Sequence, residues 1–298
     1  MSFILKVALP CPLRFSLDYL TDKSDMVWQR GLRVNVPFGS RQLVGVVVDI
    51  EEIEDTERVS KIKPILCRLD EFPIISESLL NLILWVSDYY HHPIGDCFQV
   101  ALPKKIRLGK PLLLIMDTYW TLTSDSELKS KLGKKQKAVL SLLQKKRGPV
   151  SQQEITDEIG NHNDALQSLE IKKLIKHRSQ IRKPTLVAEL IPLKKLNSEQ
   201  ENAVDAVWRS QKEFSSTLLH GITGSGKTEV YIQLASLVVS TGKQVLILIP
   251  EISLTEQFVN RFKQHLSACI VVFNSSMNDS ERQQAWLLAQ SGNADIVI

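Results

Sequence analysis

Eight consecutive residues, Gly221-Ile222-Thr223-Gly224-Ser225-Gly226-Lys227-Thr228, combine three glycines with a lysine and three hydroxyl-bearing residues. Glycine lacks a Cβ, so successive backbone N–H groups can turn inward around an anion. The run from Glu229 onward is helix-forming and would add its free N–H groups and the positive end of its dipole. In this spacing the lysine neutralises the β- and γ-phosphates of a nucleoside triphosphate, and the hydroxyl that follows holds Mg²⁺. Lys227 and Thr228 are therefore the candidate catalytic pair. Gly221, Thr223, Gly224, Ser225 and Gly226 complete the phosphate cradle, and Thr228 is the candidate Mg²⁺ residue. A glycine-rich turn that binds nothing is the alternative, which the full GxxxxGK[ST] spacing disfavours.

Such a loop needs a strand before it and a helix behind it. Leu218-Leu219 predicts a strand over 217–220, and from Leu196 the chain alternates strand and helix. Strands are expected at 244–249, 270–273 and 295–298, with helices after Lys227, from Ser253 to Leu266 and from Asp279 to Gln290. Repeated βα units imply a parallel sheet carrying helices on both faces.

With 298 residues, 43% hydrophobic and 23% charged, the chain has the size and composition of a multidomain globular protein. It holds no apolar run near the roughly 20 residues of a membrane span, so no membrane partner is expected. The start Met1-Ser2-Phe3-Ile4-Leu5-Lys6 lacks the pattern of a secretory signal, and a cytoplasmic location is expected. Cys11, Cys67, Cys97 and Cys269 are scattered without a CxxC pair, which argues against a zinc site or disulfide framework in this span. Charge is uneven. Residues 1–106 carry 12 Lys+Arg against 14 Asp+Glu, residues 107–195 carry 18 against 9, and residues 196–298 carry 7 against 10. A basic middle suits contact with a polyanion such as nucleic acid, and equally a solvated lysine-rich face.

The amino-terminal region alternates apolar and polar residues over 3–9 and 32–50, with a turn at Pro37-Phe38-Gly39-Ser40, which predicts a β-hairpin in a mostly β domain. Ser76 then caps a helix running towards Tyr90, and the adjacent His91 and His92 read as its C-terminal feature before Pro93. Pro103, Gly109 and Pro111 mark residues 103–118 as a linker. Beyond it, three helices are expected: Lys134 to Lys146, a second opened by the capping box Ser151-Gln152-Gln153-Glu154, and a third opened by Asn163. The break at Gly160-Asn161 gives the last two the look of a helix-turn-helix of winged-helix type, with Lys172, Lys173, Lys176, Arg178, Arg182 and Lys183 available to duplex phosphates.

Val7-Ala8-Leu9-Pro10, Asp18-Tyr19-Leu20, Val34-Asn35-Val36-Pro37-Phe38-Gly39 and Asp88-Tyr89-Tyr90-His91-His92-Pro93-Ile94-Gly95-Asp96 together resemble the amino-terminal domain of the PriA family, bacterial primosomal proteins that restart stalled replication forks. The resemblance implies a pocket for the 3′-terminal nucleotide of the leading strand, built on Leu17, Asp18, Gly39 and Lys63. Asp18 would accept the terminal sugar hydroxyl, Gly39 would let the backbone approach the base, and Lys63 would approach the phosphate side. A carboxylate accepts a hydrogen bond from a free 3′-OH and repels a 3′-phosphate, so it can test whether an end is extendable. Leu17 stands where the family commonly has an aromatic. By residue type alone, Asp18 also fits a turn or cap, Gly39 a hairpin glycine and Lys63 a surface charge.

The same resemblance continues through the glycine-rich loop with Thr228-Glu229-Val230-Tyr231 behind it. Leu196-Asn197-Ser198-Glu199-Gln200 is similar to the family's adenine-reading motif, in which Gln200 would select ATP; the same residues also read as a helix cap. Leu248 to Gln257 is similar to a helicase motif that meets single-stranded backbone, and Asn274 stands where the family usually has histidine. The implied fold is multidomain α/β: a mostly β amino-terminal DNA-binding domain over 1–106, a winged-helix domain over 116–183, and an incomplete RecA-like parallel α/β helicase lobe over 194–298. The implied activity is that of an ATP- and Mg²⁺-dependent 3′ to 5′ DNA helicase acting on branched DNA at a replication fork, with primosome proteins and single-stranded DNA-binding protein as partners. The Walker B carboxylates, the second motor lobe and the zinc-binding cysteines would lie in the carboxyl-terminal part that this chain lacks, so turnover by these residues alone is not expected. A DNA- and nucleotide-binding module without helicase activity is one alternative, and an unrelated phosphate-loop enzyme such as a small-molecule kinase is another.

Overall fold

A computed structural model describes residues 2–21, 27–53, 60–123, 132–184, 191–222, 224–250 and 252–298. Residues 1–112 and 185–298 form one compact unit, and residues 113–184 form a second. The segments 1–106 and 194–298 both fall within the first unit.

The amino-terminal part is built on an antiparallel sheet of β1 (Ser2–Ala8), β2 (Leu17–Thr21), β3 (Arg33–Phe38), β4 (Arg41–Ile53) and β5 (Cys67–Arg68), in the order β2-β1-β4-β3-β5. The expected hairpin is β3–β4, closed at Gly39-Ser40 with Phe38 opposite Arg41. A register shift between Lys6 and Val7 bends β1 against β4. Residues 63–69 then run between the two ends of the sheet. The Leu20 N–H donates to the Lys63 carbonyl (2.9 Å) and the Ile65 N–H to the Leu20 carbonyl (3.0 Å), while the Leu66 N–H reaches the Asn35 carbonyl (2.8 Å). The curled sheet encloses Leu5, Val7, Leu9, Tyr19, Leu32, Val34, Val36 and Val47.

One buried charge fastens this barrel. Arg33 is 1% exposed and grips Asp70 twice, Nε to Oδ2 at 2.8 Å and Nη2 to Oδ1 at 2.6 Å. Its Nη1 also donates to the carbonyls of Ile106 (2.5 Å) and Lys110 (3.0 Å). The helices that follow the barrel are α1 (Glu77–Tyr89), capped by Ser76, α2 (Ile94–Ala101) and α3 (Lys104–Arg107). Within residues 103–118, expected as a linker, the boundary between the two units falls after Leu112, but the first part is a packed turn that holds α3. Ile106 is fully buried, and its carbonyl is one of the two that satisfy Arg33.

The second unit has an antiparallel sheet of β6 (Met116–Leu122), β7 (Val150–Ser151) and β8 (Ile175–Ile181), ordered β7-β6-β8. Its helices are α4 (Lys134–Lys146), α5 (Gln152–Ile159) and α6 (Asn163–Ile171). The three expected helices are there, the capping box at Ser151 and Glu154 included. Trp120 of β6 joins Val139, Leu143, Ile155, Leu166 and Leu169 in the core.

The carboxyl-terminal part comprises α7 (Ser198–Arg209), α8 (Lys227–Ser240), β9 (Val245–Leu246), α9 (Ile252–His265), β10 (Ile270–Val271), α10 (Asp279–Gln290) and β11 (Ile296–Val297). Its strands are parallel and ordered β10-β11-β9, over a core that includes Ile232, Ala235, Phe262 and Ile296. Among the described residues no strand covers 217–220, a departure from expectation. Leu218 there is 88% exposed. An isolated apolar pair flanked by Thr217 and His220 has too little to bury to hold a strand without a paired neighbour.

Asp70→Ala is expected to destabilise the first unit by about 3–5 kcal/mol, because it strands a buried guanidinium. The measurement is a denaturant midpoint at unchanged m-value. Arg33→Met combined with Asp70→Leu should be much milder. A loss below about 1 kcal/mol in Asp70→Ala, the range of exposed pairs, would contradict the buried fastening.

Candidate nucleotide and nucleic-acid sites

The glycine-rich loop closes directly onto α8. Gly226 is the residue before the helix, with φ 86°, and Gly224 has φ 84°, so both occupy left-handed backbone that only glycine adopts freely. Lys227 and Thr228 then form the first helical positions, where the free N–H groups and dipole favour an anion. Lys227 Nζ donates to the carbonyls of Gly221 (2.6 Å) and Ile222 (2.9 Å). The ammonium therefore lies folded into its own loop, where the positive charge needed by a polyphosphate is already in place. α8 is anchored by Val230, Ile232 and Ala235, and Glu229 takes an ion pair from Arg261 of α9.

Gln200 serves the loop and its own helix together. Its Oε1 accepts from the Asn197 N–H (3.0 Å) while Asn197 Oδ1 accepts from the Gln200 N–H (2.9 Å), closing a capping box. Its Nε2 donates to the Ser225 carbonyl (3.0 Å), and a Cβ added to Gly226 would run into that same nitrogen. The structure thus brings Gln200 together with Gly221, Gly224, Ser225, Gly226, Lys227 and Thr228; Thr223 lies outside the described residues. Each end of the Gln200 amide makes one bond, which leaves one N–H and one oxygen lone pair for a further partner. Of the stretch Leu248 to Gln257, Glu251 likewise lies outside the described residues. Asn274 shapes its own loop, its Oδ1 accepting from the Ser276 N–H (3.1 Å) and hydroxyl (2.7 Å).

At the barrel rim, β2 carries Leu17 and Asp18, with Leu17 packed against the barrel core and Asp18 opposite Lys6 of β1. Lys63 is exposed and lies beside the same strand, its carbonyl bonded to the Leu20 N–H. Gly39 lies in the turn between β3 and β4. The buried Tyr19 reaches across with its hydroxyl donating to the Pro37 carbonyl (3.0 Å), tying β2 to the start of the turn that holds Gly39. Burial, with a smaller push from Cys11, raises the Tyr19 pKa, which keeps the phenol protonated as a donor. Gly39 has φ 59° and nothing within 4 Å of where a Cβ would stand, so its backbone faces open space. Sequence reasoning quoted Tyr19 without giving it a role; an aromatic with a polar tip inside an alternating strand was the available signal.

In the second unit Lys172, Lys173, Lys176, Arg178, Arg182 and Lys183 are all exposed around the end of α6 and along β8. Arg182 is paired with Asp117 (2.7 Å), while β8 alternates none of its middle residues inward. His91 has φ 51° and caps α1, its N–H donating to the Asp88 carbonyl (3.2 Å), as expected of a helix end. The four cysteines are free thiols. Among the described residues, no helix is long and apolar enough to cross a membrane.

Comparison with known proteins matches residues 6–103 to a family described as the 3′DNA-binding domain (3'BD), and residues 193–298 to one described as type III restriction enzyme, res subunit. The chain is 34% identical, over 99% of its length, to the replication restart protein PriA of Haemophilus influenzae, and 29% identical over 95% to that of Chlamydia pneumoniae. The chain belongs to the PriA family. It spans about two fifths of the length of these PriA relatives, 41% and 39%. Over that span the PriA-family match takes in both the barrel and the glycine-rich loop, joined in one compact unit.

Gly226→Ala is expected to weaken ATP binding by about tenfold or more, since a Cβ there meets both the left-handed backbone penalty and the Gln200 amide. Calorimetric titration with MgATP reads this out. Unchanged affinity would mean that the loop does not hold the phosphates in this conformation.

Proposed function

We propose that this chain captures the 3′ end of a DNA strand at the barrel rim and holds ATP in the loop ahead of α8, as part of a replication restart helicase. The observation that carries the reading is the match of residues 6–103 to a 3′DNA-binding domain; Leu17 and Asp18 on β2, Lys63 in the segment bonded to β2, and Gly39 in the β3–β4 turn support it. Asp18 accepts the 3′-hydroxyl, Gly39 admits the base close to the backbone, Leu17 gives an aliphatic floor, and Lys63 attracts the phosphate.

At the second site, Gly221, Thr223, Gly224, Ser225 and Gly226 line the phosphates, Lys227 leaves the Gly221 and Ile222 carbonyls for phosphate oxygens, and Gln200 braces the loop or reads adenine. The fit rests on an ammonium already folded into a glycine nest. Thr228 would hold Mg²⁺, which when bound neutralises phosphate charge. The mixed α/β part that contains this loop is proposed to be a RecA-like motor lobe, and the second unit a winged helix that meets duplex phosphates through its exposed basic residues. For the full-length protein we propose ATP-driven 3′ to 5′ unwinding at branched forks and cooperation with primosome proteins and single-stranded DNA-binding protein, with zinc held outside this span. For these residues alone we propose binding of DNA and nucleotide without sustained turnover; DNA-stimulated steady-state hydrolysis by this chain would contradict that part.

An oligonucleotide ending in 3′-OH is expected to bind about tenfold or more tighter than the same strand ending in 3′-phosphate, the range of a hydrogen bond to a charged group. Asp18→Ala should remove most of the difference, and equal affinities for the native chain would contradict the pocket. Lys227→Ala should cost about 1.5–3 kcal/mol in nucleotide binding while leaving the preference for a 3′-OH end in place. Nucleotide affinity unaffected by that substitution would contradict the ATP site.

A further inference from the structure

Within the first unit, one face of α10 is turned to the barrel side of the molecule. Asp279 pairs with Lys104 of α3 (3.4 Å), Ser280 Oγ accepts from Lys105 Nζ (2.6 Å), Gln283 Nε2 donates to the Pro111 carbonyl (2.9 Å), and Gln290 Nε2 donates to the Ile74 carbonyl (3.0 Å). The spacing 279, 283, 290 follows a single helical stripe. Every one of these bonds is polar, and the ion pair is exposed, with side chains 60% and 48% accessible. Exposed pairs contribute little and are screened by salt. Beside the seam lies a cleft of about 1080 Å³ lined by Trp28, Ile75, Phe273 and Trp286.

The two sides of the seam are each built to survive its opening. α3 is held from below, since Arg33 grips the carbonyls of Ile106 and Lys110. α10 keeps its own start, because Asn278 Oδ1 accepts from the Ser280 and Glu281 N–H groups (2.9 and 3.0 Å) and Glu281 returns the bond to the Asn278 N–H (3.0 Å). Asp279 and Glu281 also suit the positive end of the helix dipole, and would do so without the lysines of α3. Lys105 meanwhile spends its ammonium on a neutral hydroxyl. A phosphate would offer it a charge-assisted bond, roughly twice as strong.

We propose that the α3–α10 seam is a charge latch: Lys104 and Lys105 are DNA-phosphate contacts held in reserve on Asp279 and Ser280, and a bound strand draws them off and loosens the first turn of α10. This rests on the reading that the chain binds DNA. Loosening that turn also loosens the loop that precedes it, because Arg282 Nη2 donates to the Asn274 carbonyl (2.6 Å) and makes loop and helix one piece. DNA captured at the barrel would thereby alter the lobe that carries the glycine-rich loop without any contact at the nucleotide.

Hydrogen exchange of the full chain, read by mass spectrometry with and without a single-stranded 3′-OH oligonucleotide, tests this directly. The native chain should show faster exchange over 274–283 when the oligonucleotide is added, and when salt is raised without it. Asp279→Ala should exchange fast in that segment from the start, gain nothing further from the oligonucleotide, and bind it more tightly. Lys104→Met with Lys105→Met should also exchange fast, but bind more weakly, with a salt slope smaller by about 1–2 in log units. Undiminished oligonucleotide binding with 274–283 unmoved in every variant overturns the latch and leaves the 3′-end reading standing. Failure of the native chain to bind oligonucleotide at all brings down that reading, and the latch with it.

Discussion

A single buried guanidinium holds together the segments that carry Lys63, Lys104 and Lys105. Arg33 stands in β3, yet its partners come from residues 70, 106 and 110, so one side chain ties the closing segment of the barrel to the turn that follows the helices. An ion this buried is tolerated only when its donors are met, and Arg33 meets them with a bidentate carboxylate and two carbonyls. Because Asp70 directly follows residues 63–69, holding it also holds the segment that places Lys63 beside β2. Because Ile106 and Lys110 flank the end of α3, the same grip presents Lys104 and Lys105 towards α10. The barrel segment that carries Lys63 and the seam between α3 and α10 are thereby fixed from one point.

The local chemistry of the chain was legible before its structure. Alternation around Pro37-Phe38-Gly39-Ser40 marks the β3–β4 hairpin, and the capping boxes at Asn197 and Ser151 mark helix starts, because both signals lie within a few residues of what they specify. The glycine spacing likewise announces a loop that needs left-handed backbone, which Gly224 and Gly226 adopt. Features made by distant partners were not legible. β6 pairs with β8 across Met116 and Ile181, and no local pattern announces which of several short polar strands will find each other. The closing segment 63–69 has no strand periodicity, and α3 hides in a stretch whose Pro103, Gly109 and Pro111 read as linker.

The expected strand at 217–220 failed in the opposite direction. Two leucines suggested a buried strand, but burial is a property of neighbours, and here Leu218 faces solvent. The helix behind the loop forms regardless, through its own apolar face. For the 3′-end residues, type and spacing alone left turn, hairpin and surface readings open for Asp18, Gly39 and Lys63. What gathers them is the Tyr19 hydroxyl on the Pro37 carbonyl and the bonds between Leu20 and residues 63–65, contacts that join positions far apart in the chain. Of the two readings of Gln200, the structure bears out the helix cap, and it adds a bond from the same amide to the Ser225 carbonyl that no local pattern announced.

The account has a polar strand end captured at one rim of a closed barrel, a triphosphate held by a glycine nest, and a weak polar seam between them. Its central claim is the location of the strand end. Amide chemical-shift mapping, with a short single strand ending in 3′-OH titrated into the isotopically labelled chain, tests that location most directly. Shifts should cluster at residues 17–20, 38–40 and 63–66. Shifts confined to the basic residues 172–183 of the second unit, with the rim unmoved, would contradict it.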